Sequence, residues 1–378
     1  MMSRSFELVG LDGSNPLGFL AALGTVVSLA EARKGQPKLG WRLRHHWVPI
    51  LEVSGVKDED ELCRSVANFL RGAAVDPDAE ERRAATQREM EKAKKAVKDK
   101  KEEIRKRGLR GAKKSEAVER ELLPLERKFD EKRRVWLEAL REAVPCPELA
   151  LGKRIDCRAE EYRDHASTLA DQARLSSRGA LDMLAAFGSD ACRQQKSDAI
   201  EPTPFCFISG SGHQFFLETA RQLMGQADSN AVRRVLFLEP WDYEDEGLSM
   251  RWDPVEDRRY ALMDRDPTAS DNTPRTMWMA NLLAYRALAL FTCAPNGGRL
   301  VTAGWDFNGT AFTWPLWEHA VGVDTIRSLV QSRELIEERP DAGQLRARGV
   351  LAAYRALRIS VGGGVQKKLN FTLARKVA

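Results

Sequence analysis

A continuous run of Lys, Arg, Glu and Ala between residues 78 and 144 constrains the fold more than any other part of the chain. These residue types favour the α-helix. From Ala79 to Glu142 the run holds 22 Lys or Arg against 15 Asp or Glu, an excess of seven positive charges. The whole chain of 378 residues has a formal net charge of only +5. All of the net positive charge is therefore confined to this run, and the remaining residues are net negative.

The run predicts two long helices joined by a reversal. Helix-forming residues extend over 78–107 and again over 115–142, and between them lies Gly108-Leu109-Arg110-Gly111, whose glycines permit the chain to turn back. Apolar residues recur every seven positions in each half, which is typical of a two-stranded coiled coil. They are Met90, Val97 and Ile104 in the first half, and Val118, Leu122, Leu125, Phe129 and Trp136 in the second. We predict a long antiparallel helical hairpin over residues 78–144.

The flanking residues, 1–77 and 145–378, predict a mixed α and β body into which the hairpin is inserted. Asn15 and Pro16 have the residue types preferred at a helix cap and at the first helical position. The apolar segment that follows is too short to span a bilayer, so a buried helix is expected and no membrane association. Val232 to Leu238 is interpreted as a strand and Val350 to Leu357 as a helix. The predicted fold class is α+β.

Cysteine and histidine spacing argues against a metal centre. The six cysteines include no C-x-x-C pair, which excludes the pattern of a zinc ribbon and gives no sign of a disulfide framework. His45, His46, His165 and His319 lack metal-ligand spacing with one another or with cysteine. We expect reduced thiols, a cytoplasmic location, and neither metal nor cofactor.

The basic run is the strongest candidate for a binding surface. Residues 92–114 hold twelve cations against three anions, the one-sided field that binding to a phosphate backbone requires. The alternative is a solvated pair of charged helices, since coiled-coil surfaces are often rich in Lys and Glu. The candidate nucleic-acid contacts are Lys94, Lys98, Lys101, Arg105, Lys106, Arg107, Arg110, Lys113 and Lys114.

A glycine-rich segment, Phe207 to Gln214, predicts a turn between a strand at 205–209 and a helix. Free backbone amides in such a turn can hold a phosphate, although the Gly-Lys-Ser/Thr ending of a nucleotide-hydrolase loop is missing. A tight structural turn is the alternative. Candidate contacts here are Ser209, Ser211, His213 and Gln214. A hydrolase centred on Ser211 and His213 has no assignable acid, so we expect no catalytic residue.

An aromatic stretch near the C-terminal part of the chain has two interpretations. Its members could stack on exposed bases, as in single-strand binders, or form a core. Alternation along strands favours the core. The stretch contains Trp305, Phe307, Phe312, Trp314 and Trp317.

Several phrases of the body resemble one protein family. They are Gly10-Leu11-Asp12-Gly13-Ser14-Asn15-Pro16-Leu17-Gly18-Phe19-Leu20-Ala21-Ala22-Leu23-Gly24, Ser209-Gly210-Ser211-Gly212-His213-Gln214, Trp252-Asp253-Pro254, Arg258-Arg259-Tyr260-Ala261-Leu262 and Phe312-Thr313-Trp314-Pro315-Leu316-Trp317. Together they resemble the large subunits of type I-G (formerly I-U) CRISPR effector complexes, the Cascade complexes of antiviral defence. The helical hairpin is not among the matching phrases.

The resemblance implies a non-catalytic subunit of an RNA-guided surveillance complex. Its implied partners are the CRISPR guide RNA, target DNA, the other effector subunits and a transiently recruited helicase-nuclease. In such complexes guide pairing reads most of the sequence, while protein reads the flanking motif and the backbone. The alternative is a structural adaptor that uses the hairpin to dock a protein partner.

Overall fold

A computed structural model of the chain describes residues 3–175, 177–195, 197–208, 214–256, 275–361 and 368–378. The helices are α1 Pro16–Glu31, α2 Glu59–Arg71, α3 Pro77–Lys106, α4 Gly111–Ala117, α5 Leu123–Glu142, α6 Ala159–Ala173, α7 Gly179–Ala185, α8 Phe216–Gly225, α9 Ser229–Phe237, α10 Trp278–Ala287, α11 Val323–Val330 and α12 Ala342–Ala347. A π-helical turn, Val118–Leu122, joins α4 to α5. The strands are β1 Ser3–Glu7, β2 Lys38–Leu43, β3 Trp47–Ser54, β4 Asp245–Glu246, β5 Arg275–Thr276, β6 Cys293–Asn296, β7 Arg299–Thr302, β8 Ala311–Trp317, β9 Val321–Gly322, β10 Val350–Val361, β11 Lys368–Phe371 and β12 Arg375–Lys376.

These elements confirm the mixed α and β class. The chain divides into two compact units. One, called here the body, consists of Met1–Gly72 and Lys153–Ala378; the other, called the insert, is Ala73–Gly152. The predicted hairpin range, 78–144, lies within the insert.

The sheets of the body are small and antiparallel. One has the strand order β1-β3-β2-β9, and a second has β11-β10-β12, with β8 also pairing β10. Tryptophan side chains of β8 donate hydrogen bonds to backbone carbonyls of the N-terminal part, Trp314 to Gly13 at 2.8 Å and Trp317 to Leu39 at 2.7 Å. These bonds satisfy indole N–H groups that are otherwise buried, so β8 is fixed against the N-terminal turn and β2.

The N-terminal turn and helix are where the sequence predicts them. Asn15 caps α1 by accepting from the Leu17 backbone N–H at 2.8 Å, and Pro16 occupies the first turn. The helix is buried on all sides over residues 16–29, as its uninterrupted apolar sequence indicates. At Gly24 an added Cβ would lie 1.7 Å from the Leu283 carbonyl oxygen of α10, so the two helices approach at a distance that only glycine allows.

Most of the aromatic stretch forms the core of the body, as the sequence indicates. Trp305, Phe312, Trp314 and Trp317 are each at most 2% exposed. The Phe312 ring lies 5.1 Å from both Phe205 and Trp314 between ring centroids. Phe307 differs, because it remains 47% exposed.

Two predicted elements are wrong. Residues 232–238, expected as a strand, lie mainly in α9, where Asp228 caps the helix and Val232, Val235 and Leu236 form its buried face at helical spacing. Residues 350–357, expected as a helix from their alanines and leucines, lie in β10. Pairing with β8 there overrides the local propensity, and the alanines are small enough to pack against the neighbouring layer.

The insert contains α3, α4, the π-helical turn and α5. Ion pairs join Arg82 near the start of α3 to Glu142 at the end of α5, and Lys101 in late α3 to Glu126 in early α5 at 2.8 Å. A buried cluster of Met90, Trp136, Leu137 and Leu140 lies between these helices. The other residues of the seven-residue pattern are buried or half-buried. Apolar packing and cross-helix ion pairs therefore both hold the two helices together.

Within the described parts of the chain, none of the helices combines the length and apolar character that crossing a bilayer would need.

Candidate nucleic-acid interface

The ends of α3 follow from its sequence. Asp76 accepts a hydrogen bond from the Asp78 backbone N–H at 3.2 Å, and Pro77 occupies the first turn. Arg105 and Lys106 lie in the last turn, where cations interact favourably with the negative end of the helix dipole. The local sequence therefore fixes how far this cation-bearing helix extends.

The chain reverses over two glycines with left-handed backbone. Gly108 has φ of 61° and Gly111 has φ of 53°, values at which a side chain would be strained. Arg110 lies between them in extended conformation and precedes α4, which carries Lys113 and Lys114. All three cations are exposed. The two glycines therefore adopt the backbone conformation that a turn requires, and three of the candidate cations lie on the same short segment.

Four of the nine candidate cations of the insert are paired with carboxylates. Arg105 lies 4.0 Å and Lys106 lies 3.2 Å from Glu102, and Arg107 lies 2.7 Å from Glu121. Lys101, another candidate, pairs with Glu126 as described above. Phosphate would have to compete with these carboxylates, so such cations offer less affinity than their number indicates.

Two carboxylates of the insert, Glu103 and Glu121, have lowered pKa values. A hydrogen bond from Lys100 is the main cause that lowers the pKa of Glu103, and one from Arg107 lowers the pKa of Glu121. Hydrogen bonds that Arg107 donates to Glu121 and Glu103 raise the pKa of Arg107. Glu103 and Glu121 are therefore ionised at neutral pH and partly neutralise the basic surface.

The other candidate cations of the insert have no such partner. Among the residues that the structure describes, no carboxylate oxygen lies within 4.0 Å of the charged nitrogens of this group, which we call the unpaired cations: Lys94, Lys98, Arg110, Lys113 and Lys114. All five side chains are exposed. Lys94 and Lys98 are four residues apart on α3 and share a face of that helix. The pairing of Arg105 and Lys106 with Glu102 is local to α3, but that of Lys101 and Arg107 with Glu126 and Glu121 depends on tertiary structure, which sequence composition does not reveal.

The glycine-rich segment is only partly described. Residues 205–208, expected as a strand, have no strand conformation, so that half of the predicted strand-turn-helix geometry is wrong. Ser209, Ser211 and His213 lie outside the described residues. Gln214 is half-buried just before α8.

A cleft in the body contains the one exposed member of the aromatic stretch. Its volume is about 520 Å³, and Arg193, Arg299, Phe307 and Arg358 are among its lining residues. The Arg299 guanidinium carbon lies 5.4 Å from the centre of the Phe307 ring. An exposed ring with a cation over it can stack on a base and meet its phosphate. The alternation in the sequence predicts Phe307 to be a core residue like the other members of the stretch. Its exposure in the structure is what distinguishes it from them.

No protein-family model matches the chain, and no curated protein matches it.

Proposed function

We propose that this protein is a non-catalytic nucleic-acid-binding subunit of an RNA-guided type I CRISPR surveillance complex. In this proposal the insert is a long antiparallel helical hairpin whose unpaired cations contact the backbone of target DNA near the flanking motif. The body contacts guide RNA and neighbouring subunits and supports recruitment of the helicase-nuclease. The sequence resemblance supports the assignment to that class of complex.

The observation that carries nucleic-acid binding is the set of five exposed cations without carboxylate partners. Each can neutralise a phosphate without first breaking an ion pair, and each neutralised phosphate releases condensed counterions. Lys and Arg placed in this way supply affinity that is independent of base sequence. The ring of Phe307 beside Arg299 supports a second contact, to an unstacked base of a single strand.

The test compares two triple variants that remove equal charge from the insert. Arg110→Gln, Lys113→Gln and Lys114→Gln remove unpaired cations, while Lys101→Gln, Lys106→Gln and Arg107→Gln remove paired ones. Fluorescence anisotropy of the full chain with duplex DNA, single-stranded DNA and RNA at several salt concentrations gives affinity and its salt dependence. We expect the first triple to reduce the log–log salt slope by about 3 and to weaken binding to every sequence. The second triple should have a clearly smaller effect.

Equal effects of the two triples would mean that only net charge matters and would contradict the role of the unpaired cations. Unchanged binding in both would remove the insert as a nucleic-acid contact. If the first triple instead abolished recovery of a protein partner and left nucleic-acid binding intact, the adaptor alternative would replace this proposal.

The effector-complex part of the proposal needs its own experiment. Affinity purification of the tagged chain from its native cell, with sequencing of nuclease-protected RNA and mass spectrometry of proteins, should recover one uniform guide-RNA population and several stoichiometric subunits. Recovery of the chain without RNA would contradict it.

A further inference from the structure

Two adjacent histidines and a distant glutamate converge on one side of the body. His45 and His46 lie in the loop between β2 and β3, and Glu239 follows α9. The ligand atoms of the three side chains all lie within 4.8 Å of one another. Nε2 of His45 contacts Oε1 of Glu239, and Nδ1 of His46 lies 3.3 Å from the same oxygen. The histidine spacing gave no indication of this group because the glutamate is 194 residues away.

The loop that carries the histidines is held at both ends. Leu43 and Trp47 are paired across the hairpin, and the Arg44 backbone N–H donates to the His46 carbonyl at 2.9 Å. Trp47 is buried and donates from its indole to the Tyr354 hydroxyl at 3.0 Å. A tight turn allows two adjacent side chains to point to the same side, which they would not do within a strand.

The glutamate is also attached to fixed backbone. The Gly10 N–H donates to the Leu236 carbonyl at 3.0 Å, and the Trp241 indole donates to the Val235 carbonyl at 3.0 Å. A Cβ at Gly10 would lie 2.4 Å from the Val235 oxygen, so the N-terminal chain passes close to the end of α9. Both ligand-bearing segments are therefore positioned by the fold and not by the contact between the three side chains alone.

The geometry points to a Zn²⁺ site formed by His45 Nε2, His46 Nδ1 and Glu239 Oε1. Ligand atoms about 2.0–2.1 Å from a tetrahedral zinc lie about 3.3 Å apart. The separation of His46 Nδ1 and Glu239 Oε1 fits this value, whereas His45 Nε2 contacts the same oxygen directly and has to move away from it to admit the ion. Two imidazoles with one carboxylate form a donor set used by zinc, whereas Mg²⁺ and Ca²⁺ prefer oxygen ligands throughout. The exposed position of His45 leaves the fourth coordination position for water.

Two basic groups lie beside the site, and one carboxylate partly neutralises them. Arg44 is the nearest basic group along the loop, and its guanidinium forms an ion pair with Glu7. Arg42 contacts the same carboxylate at 2.8 Å. Without a metal, the contact between His45 and Glu239 is a largely exposed pair that contributes little to folding. A bound divalent ion would raise the free energy of unfolding by more than this pair does, because the ion binds only the native state, in which the three ligands lie together.

The test measures Zn²⁺ binding to the untagged full chain under reducing conditions by isothermal titration calorimetry. Co²⁺ serves as a second probe, since its visible absorption reports coordination geometry. We expect one equivalent of Zn²⁺ to bind and Co²⁺ to show the intense bands of a four-coordinate site. His45→Ala and Glu239→Gln should each weaken Zn²⁺ binding at least about tenfold, because loss of even an outer partner of a zinc ligand costs that much. Circular dichroism would show that both variants remain folded.

His319→Ala is the matched control, because this histidine is exposed but has no part in the group of three. It should bind Zn²⁺ as the unaltered chain does. Absence of stoichiometric binding, or binding that survives both His45→Ala and Glu239→Gln, would overturn the proposal; the second outcome would place the zinc elsewhere on the chain. The nucleic-acid role proposed above does not depend on either result.

Discussion

Phe312 in the body and Met90 in the insert are both buried, but their surroundings differ. Phe312 lies among rings that contact one another over several elements, including Phe205, Trp305 and Phe371. Met90 belongs to a cluster drawn from two helices. Around that cluster the insert has exposed charges, many of them in ion pairs. The body therefore depends mainly on apolar burial, and the insert combines a small apolar cluster with surface electrostatics.

The largest expected effect is from Phe312→Ala. Removing a fully buried ring that no neighbour can replace should lower the free energy of unfolding of the body by about 3–5 kcal/mol. Urea denaturation followed by near-ultraviolet circular dichroism would measure it. Phe307→Ala, a change of the same chemistry at an exposed ring, should stay within about 0.5 kcal/mol. Equal losses in the two variants would show that the aromatic cluster does not dominate the stability of the body.

A smaller effect is expected from Leu140→Ala in the insert. Leu140 is fully buried, but a cluster between two helices can collapse around the missing atoms, so a loss of about 2 kcal/mol is expected. Hydrogen exchange should show faster exchange of the amides of α3 and α5. Leu123→Ala, at a 36% exposed position of α5, is the control and should leave exchange nearly unchanged. Unaltered protection in Leu140→Ala would mean that ion pairs, not apolar contacts, hold the insert.

The free energies of unfolding of the body and of the insert should depend on pH in opposite directions. Burial raises the pKa of the Cys63 and Cys293 thiols in the body from 9.0 to about 11. The contribution of each thiol to the free energy of unfolding is complete below pH 9 and is lost as the pH rises toward 11. At pH 10 the loss is about 1 kcal/mol for each thiol. In the insert the lowered pKa values of Glu103 and Glu121 act in the other direction. Their stabilisation is present above the ordinary pKa of 4.5 and is lost as the pH falls below it, with a smaller size because the groups are exposed.

Thermal unfolding at a series of pH values, with hydrogen exchange to assign each transition, would measure both dependences. Cys63→Ser and Cys293→Ser should reduce the alkaline loss, and Glu121→Gln should reduce the acidic one. A single pH dependence common to all elements would contradict the contrast between the units.

Local signals in the sequence predicted local structure well. The cap at Asn15, the proline after it and the two glycines of the reversal act within a few residues, so their effect could be predicted without the rest of the chain. The interpretations of 232–238 and 350–357 were wrong because tertiary pairing and helix capping decided them. The pairing of Lys101 with Glu126 requires the alignment of α3 with α5, whereas the pairing of Lys106 with Glu102 is local. The convergence of His45 and His46 with Glu239 requires the whole body to be folded.

The π-helical turn sets the angular positions around the helix axis of the residues on either side of it. Ala117 and Leu122 are both buried, yet five residues of α-helix would place them about 140° apart around the axis. The turn, in which the Leu123 N–H donates to the Val118 carbonyl, brings residues five apart nearly into line. Pro124 favours it, because proline has no N–H to continue the α-helical pattern. The turn thus accommodates one residue more than an α-helical turn would. A single-residue deletion within Val118–Leu122 should therefore rotate α4 about its axis relative to α5, so that Lys113 and Lys114 face a different side while both flanking helices remain intact.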